Sequence, residues 1–256
     1  MAENIVLLNK KDHIGYITLN NPQSRNCMNL ELAQDLIEAC HKVNGDEDIY
    51  VVILSGAGNS FCSGGDARAL FISGNSDELL NRYSPAEAVA AIDHPTIAAI
   101  NGEAIGEGLE VALACDMRIA ADDARFGLPQ VSSGTLPMDG GTQRLSRIAG
   151  KGKALEMVLT GAIIDAREAF EIGLVNKTVG REVLPAEVET LAQTLAAKAP
   201  LAMRYAKEAV HKGLDLTLEQ GLRLEADLYF LLHTTADRTE GIKSFLEKRK
   251  PEYKGE

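Results

Sequence analysis

The chain has 256 residues, 45% hydrophobic and 25% charged, and a formal net charge of −11. That composition suits a globular unit with a sizeable core. It argues against nucleic acid as a partner, which needs a net basic face, and against a membrane, since no stretch nears the roughly 18 uninterrupted apolar residues of a span. The N-terminus lacks a basic start followed by a long apolar run, so no signal peptide is expected. Cys27, Cys40, Cys62 and Cys115 are scattered without framework or metal-ligand spacing, which reads as reduced thiols in a cytoplasmic protein. The five histidines form no HExxH or similar motif, and no metal site is expected.

Along the chain, apolar runs at 5–8 and 15–19 flank the polar Asn9, Lys10, Lys11 and Asp12 and predict a hairpin. Asn20-Asn21-Pro22 ends that pattern. Asn26 or Asn29 is placed to cap a helix in which Leu30, Ala33, Leu36, Ile37 and Cys40 recur at helical spacing. Residues 50–54 are a solid apolar run, as in a strand covered on both faces, and lead into the loop Ser55-Gly56-Ala57-Gly58. Residues 96–100 repeat the design up to Asn101-Gly102, and 117–121 do so a third time. The polar, glycine-containing stretch 71–84 reads as a mobile loop or loosely packed helix. From Leu184 onward the patterning is helical only, punctuated by Pro200 and Pro251. This alternation predicts an α/β core of stacked βα repeats over residues 1–195, followed by a helical region over 196–256.

Two glycine-rich segments follow predicted strands: Ser60-Phe61-Cys62-Ser63-Gly64-Gly65-Asp66, and the stretch from Asn101 to Glu110 containing Gly102, Gly106 and Gly108. Glycine after a strand lets the backbone turn sharply and lets a ligand reach its N–H groups. A helix starting near Gly108 aims its positive end the same way. Two converging N–H donors can hold the oxygen of a thioester enolate; by themselves, the same glycines also read as ordinary turns.

The phrases SFCSGGD (60–66), NGEAIGEGLEVALACDMRIA (101–120) and RFGLPQVSSGTLPMDGGTQRL (125–145) resemble the three sequence blocks of the crotonase (enoyl-CoA hydratase/isomerase) superfamily, and EGIKSFLEKRKPEYKG (240–255) is similar to its C-terminal end. The resemblance runs in order through essentially the whole chain. It implies the crotonase (ClpP-like) fold, an α/β stack of ββα turns with a C-terminal helical trimerisation region, and self-association as a trimer or dimer of trimers. It implies an acyl-CoA thioester substrate and no cofactor, coenzyme A being part of the substrate.

The resemblance places the oxyanion-hole donors at the backbone N–H groups of Gly65 and Glu107. Glu107 departs from the family, which usually has glycine there, and its carboxylate is expected to point away from the thioester, the alternative being that Glu107 blocks this site. Glu110 matches the first catalytic glutamate of hydratases. The second normally follows the proline of an FGxPE motif, but here Phe126-Gly127-Leu128-Pro129 runs into Gln130, which cannot exchange a proton and can only orient water or substrate. Asp139, before Gly140-Gly141, resembles the acidic residue carried at this turn by dienoyl-CoA and peroxisomal enoyl-CoA isomerases. It reads equally as the cap of the helix that follows. By the same resemblance Ser63, Gly64, Asp66, Ala67, Arg68 and Gly106 border the substrate, Lys248 contacts the CoA phosphates, and Tyr229 lines the acyl pocket or is simple core. The activity implied is hydration of an α,β-unsaturated acyl-CoA, with a conjugated or cyclic dienoyl ester accommodated by the change at Gln130. The alternatives are enoyl- or dienoyl-CoA isomerisation, acyl-CoA decarboxylation, or a CoA-ester-binding subunit of little activity.

Overall fold

The computed structural model describes residues 4–65 and 84–256. The first half contains β1 (Val6–Lys11), β2 (Ile14–Leu19), α1 (Leu30–Asn44), β3 (Val51–Gly56), α2 (Pro85–Ala90), β4 (Thr96–Ile100), β5 (Glu103–Ile105) and α3 (Glu107–Ala114). Then come β6 (Met117–Ala121), β7 (Arg125–Gly127), α4 (Gly141–Thr160), β8 (Ile163–Asp165), α5 (Ala166–Glu171) and β9 (Lys177–Val179). Four helices close the chain: α6 (Leu184–Ala196), α7 (Pro200–Gly213), α8 (Leu218–Leu232) and α9 (Ala236–Glu247).

The predicted hairpin forms as β1 and β2, antiparallel with Val6 opposite Leu19. Asp12 and His13 make its turn with φ 50° and 63°, the left-handed pair that matches strand twist in a two-residue loop. β3, β4, β6 and β9 then add in parallel, giving the order β1-β2-β3-β4-β6-β9. The apolar runs at 96–100 and 117–121 become strands at those bounds, and the run at 50–54 becomes Val51–Gly56. Every residue of β4 is buried, which explains the unbroken apolar run: its sheet is covered on both faces. One cover contains α1 through Leu32, Leu36 and Val43. The other contains α6 through Leu184, Val188 and Ala192.

Beside this layer a second sheet, ordered β5-β7-β8, pairs β5 parallel with β7 and β7 antiparallel with β8. It is small, but β5 delivers the chain into α3, and β7 leads into the turn holding Pro129 and Gln130. Two asparagines divide the work assigned to either one. Asn29 caps α1, its side chain accepting from Leu32 N–H at 2.8 Å. Asn26, buried and left-handed at φ 53°, donates to the carbonyls of Ala57 (3.0 Å), Ser60 (2.8 Å) and Phe61 (3.2 Å). One side chain thus satisfies backbone acceptors that burial would otherwise strand, and it fixes the approach to Gly64 and Gly65.

The last three helices carry the chain away from the core. α7 is anchored by Lys207, which donates to the Ile92 and His94 carbonyls and pairs with Asp116 at 2.8 Å. α8 and α9 leave large apolar side chains exposed, among them Leu218, Phe230, Phe245 and Leu246.

Candidate active site

The site is built on one turn. At the end of β5, Gly106 takes φ 53° and ψ −124°, a conformation that side chains oppose, and its N–H donates to the Gly127 carbonyl at 2.8 Å. α3 starts at the next residue. A Cβ on Gly108 would lie 2.4 Å from the Cys62 carbonyl oxygen, so only glycine lets the helix start press against the 62–65 segment. That segment is held by bridges from Cys62 to Ala104 and from Gly65 to Met28. The Met28 N–H donates to the Gly64 carbonyl at 2.7 Å, and the Ser63 N–H to the Arg25 carbonyl at 3.1 Å. The Gly65 N–H is thereby turned toward the start of α3, where the first N–H groups have no partner within the helix.

One expectation is overturned here. The Glu107 carboxylate does not point away from the oxyanion-hole position: its Oε2 accepts the Gly65 N–H at 2.6 Å. Glu107 lies so close over Gly65 that a Cβ on that glycine would be 2.6 Å from Oε1. The physical reason is plain. A peptide N–H facing a helix N-terminus is a site for an anion, and the nearest anion is the side chain of the helix's own first residue.

One turn further along α3 is Glu110, buried with 1% of its surface exposed. Its Oε1 accepts two backbone N–H groups, from Asp139 at 2.7 Å and Gly141 at 2.9 Å. Its Oε2 faces the Gln130 Nε2 at 3.4 Å. Burial pushes the Glu110 carboxyl up to about 7; the two N–H donors oppose this, and the charges of Glu107 and Asp139 add to it. A carboxyl poised there can both take and return a proton near neutral pH. Gln130 also leaves its buried Oε1 without a partner among the described residues. Such an acceptor costs roughly 1–3 kcal/mol when unmet, a cost that a donor bound beside Glu110 would remove.

Asp139 does not cap the helix that follows it, where the cap position is Gly140 and no side-chain cap bond is made. Its carboxylate reaches instead to the N-terminus of α2, accepting from Ala86 N–H at 2.5 Å and Glu87 N–H at 3.2 Å. Burial raises it to about 6 against those two donors. Its backbone N–H is what touches Glu110. These backbone contacts from Asp139, Gly141 and the 25–28 segment are what sequence reading missed, since a peptide N–H carries no side-chain signature.

Of the other candidates, Ser63, Gly64, Gly65, Gly106 and Glu107 lie together at this turn. Asp66, Ala67, Arg68 and residues 71–83 of the 71–84 stretch lie outside the described residues. Tyr229, 60% exposed, is on α8, packed edge-on against His233 at 4.9 Å. It lines an apolar groove of about 480 Å³ with Leu232, Ile242 and Phe245, a groove that Glu110 does not border. Lys248 ends α9 in the left-handed region, φ 54°. Neither residue is brought to Glu110 within this chain. Cys62 is no nucleophile, since burial pushes its thiol up to about 12 and a thiol reacts as its thiolate.

The sequence profile of the enoyl-CoA hydratase/isomerase family matches residues 9–256, and the chain belongs to that family. A Bacillus subtilis relative designated an enoyl-CoA hydratase/isomerase is 41% identical over 260 residues, covering 100% of both chains. Crotonyl-CoA hydratase of Syntrophomonas wolfei is 37% identical over 259 residues, covering 99% of each. Among solved structures, the crystal structure of an enoyl-CoA hydratase from Bacillus anthracis superimposes with a TM-score of 0.93 at 38% identity, over 98% of this chain and 100% of that one. The fold is therefore that of the crotonase superfamily, and the enzyme class is enoyl-CoA hydratase/isomerase.

A buried carboxyl raised to about 7 also makes a statement about stability. Between the ordinary carboxyl range and pH 7 the folded chain holds the Glu110 proton that the unfolded chain has released, so folding weakens as pH rises through that window. Glu110→Gln cannot ionise, and its carbonyl oxygen can still accept from Asp139 and Gly141. The variant is expected to match the parent near pH 5 and to exceed it at pH 8 by on the order of 3 kcal/mol, read by urea unfolding at the two pH values. An equal difference at both would mean that Glu110 does not titrate in this window.

Proposed function

We propose that the chain hydrates an α,β-unsaturated acyl-CoA, with Glu110 as the sole proton-transfer group and the N–H groups of Gly65 and Glu107 receiving the thioester oxygen. The observation that carries this reading is the arrangement of Glu110: one oxygen pinned by two peptide N–H groups, the other directed at Gln130. In the forward direction Glu110 Oε2 takes a proton from water while the water oxygen bonds to the β-carbon. The π electrons move onto the thioester oxygen as an enolate, held by the two N–H donors. Collapse of the enolate takes a proton from Glu110 at the α-carbon, so one water is added and the carboxylate is restored. Gln130 fits the task of holding the water's second hydrogen through its Oε1, which has no partner among the described residues.

With one carboxyl doing both transfers, the reaction favours a substrate whose enolate charge spreads over further carbons, such as a conjugated or cyclic dienoyl-CoA. Incubation with crotonyl-CoA and with dienoyl-CoA esters is expected to yield products heavier by one water. Products of unchanged mass with shifted ultraviolet absorbance would replace hydration by isomerisation. Glu110→Gln should lower turnover by roughly 10²–10⁴-fold or more. In the parent, kcat/KM for hydration should rise with pH through an apparent pKa near 7, because the base form must be ionised in free enzyme. A profile flat from pH 5 to 9 would remove Glu110 from that role.

An isomerase shuttle through Asp139 is the weaker reading, because both of its carboxylate oxygens are engaged by α2. Asp139→Asn is expected to keep turnover within tenfold and the pH profile unchanged, at a cost of about 1–2 kcal/mol in stability for a weakened helix-end contact. Loss of most turnover with stability intact would restore its catalytic role.

The exposed apolar side chains of α8 and α9, Leu218, Phe230, Phe245 and Leu246 among them, support assembly as a trimer or dimer of trimers. The mass by light scattering is expected at three or six times the 27.5 kDa of one chain; a monomer at micromolar concentration would refute it. The thiols of Cys40, Cys62 and Cys115 are free and suit a reducing cytoplasm.

A further inference from the structure

Resting on the hydratase reading above, we infer that Glu107 is an internal competitor for the oxyanion hole, a residue that sets substrate affinity by holding the Gly65 N–H until a thioester oxygen displaces it. The Gly65 N–H donates to Glu107 Oε2 at 2.6 Å, and the contact closes a loop between residues 42 positions apart. A single N–H cannot serve that carboxylate and a thioester oxygen together at full strength. The carboxylate is also a good mimic of what the hole is built to receive, an anionic oxygen in line with a helix N-terminus.

Displacement needs no backbone change. Glu107 is the first residue of α3 and only partly buried, so rotation about its side-chain torsions can carry the carboxylate off Gly65 while its own N–H keeps its place. Once displaced, the carboxylate remains near Glu110, whose proton affinity its charge already raises. The cost of displacement falls on ground state and transition state alike, because both need the Gly65 N–H. Glu107 therefore raises KM rather than lowering kcat. A side chain acting as a second proton-transfer group would do the reverse: its removal would collapse kcat.

The test compares the parent with Glu107→Gly, Glu107→Ala and Glu107→Gln, the alanine variant guarding against a glycine that loosens the helix start. Affinity for butyryl-CoA, a saturated ester that cannot be hydrated, is measured by calorimetry, and crotonyl-CoA turnover in parallel. Charge-assisted hydrogen bonds of this kind correspond to roughly a tenfold to hundredfold in affinity. Glu107→Gly and Glu107→Ala are expected to bind butyryl-CoA tighter by that factor, with KM falling in step and kcat not reduced. Glu107→Gln, which keeps a neutral acceptor, should fall between them and the parent. Unchanged or weaker binding in the glycine and alanine variants, or a kcat lowered by tenfold or more, would overturn the inference. If neither the parent nor any variant binds butyryl-CoA, it is the acyl-CoA reading itself that fails, and the competition inferred from it falls with it.

Discussion

A carboxyl group kept inside an apolar interior by two peptide N–H groups is the constraint to which the rest of this structure answers. Glu110 is nearly sealed from solvent, and an ionised carboxylate there would be costly without compensation. The two donors, from Asp139 and Gly141, supply it at one oxygen only. Burial outweighs the two donors, and the carboxyl is pushed up to about 7 instead of resting in the ordinary carboxylate range. Gly141 serves this arrangement by lacking a side chain, since a Cβ there would meet Glu110 Oε1 at 3.0 Å and the Pro137 ring at 2.7 Å.

Three acidic side chains converge on this small volume, and the fold keeps them apart by giving each a different set of backbone donors. Glu107 takes the Gly65 N–H. Glu110 takes the turn at 139–141. Asp139 takes the first N–H groups of α2, where a negative charge meets the positive end of a helix. Asp139 consequently ties α2 to the same turn whose N–H orients Glu110. Its carboxylate and its backbone act on different neighbours, and one residue links the wall of the site to its acid/base group.

Much of the fold is legible along the chain because burial dictates the pattern. The runs at 96–100 and 117–121 become parallel strands of a sheet covered on both faces, and the charged residue within them, Arg118, is buried with its guanidinium donating to the Leu174, Ala112 and Cys115 carbonyls. Gly106 and Gly108 mark the helix start because each meets a backbone constraint that a side chain would violate. Glu110 and Gln130 can be paired from their motifs, and they do face each other. What escapes a linear reading is where a flexible side chain goes once two segments distant in sequence are brought together. Glu107 bonds a glycine 42 residues earlier, and Asp139 a helix 53 residues earlier. Neither contact follows from local spacing, and the natural expectation for each, a solvated carboxylate or a cap on its own helix, rests on local rules alone.

The departures at Gln130 and Glu107 are connected by charge. Relative to the family pattern the site loses a carboxylate at one position and gains one at the other, so the number of acidic groups around Glu110 is conserved while their placement is not. A glutamate at 130 would sit against Glu110 Oε2, where Gln130 now contributes a neutral amide. The charge of Glu107 acts beside the Gly65 N–H, and with that of Asp139 it adds to burial in opposing ionisation of Glu110. In the proposed reaction, moving the negative charge from position 130 to position 107 would penalise a concentrated enolate more than a delocalised one, since Coulomb repulsion falls with the distance over which the charge is spread. An enolate extended by conjugation carries much of its charge away from the thioester oxygen, and so away from Glu107. The proposed extended acyl group therefore rests on these two substitutions, considered as one electrostatic change, as much as on the single proton-transfer residue proposed for the site.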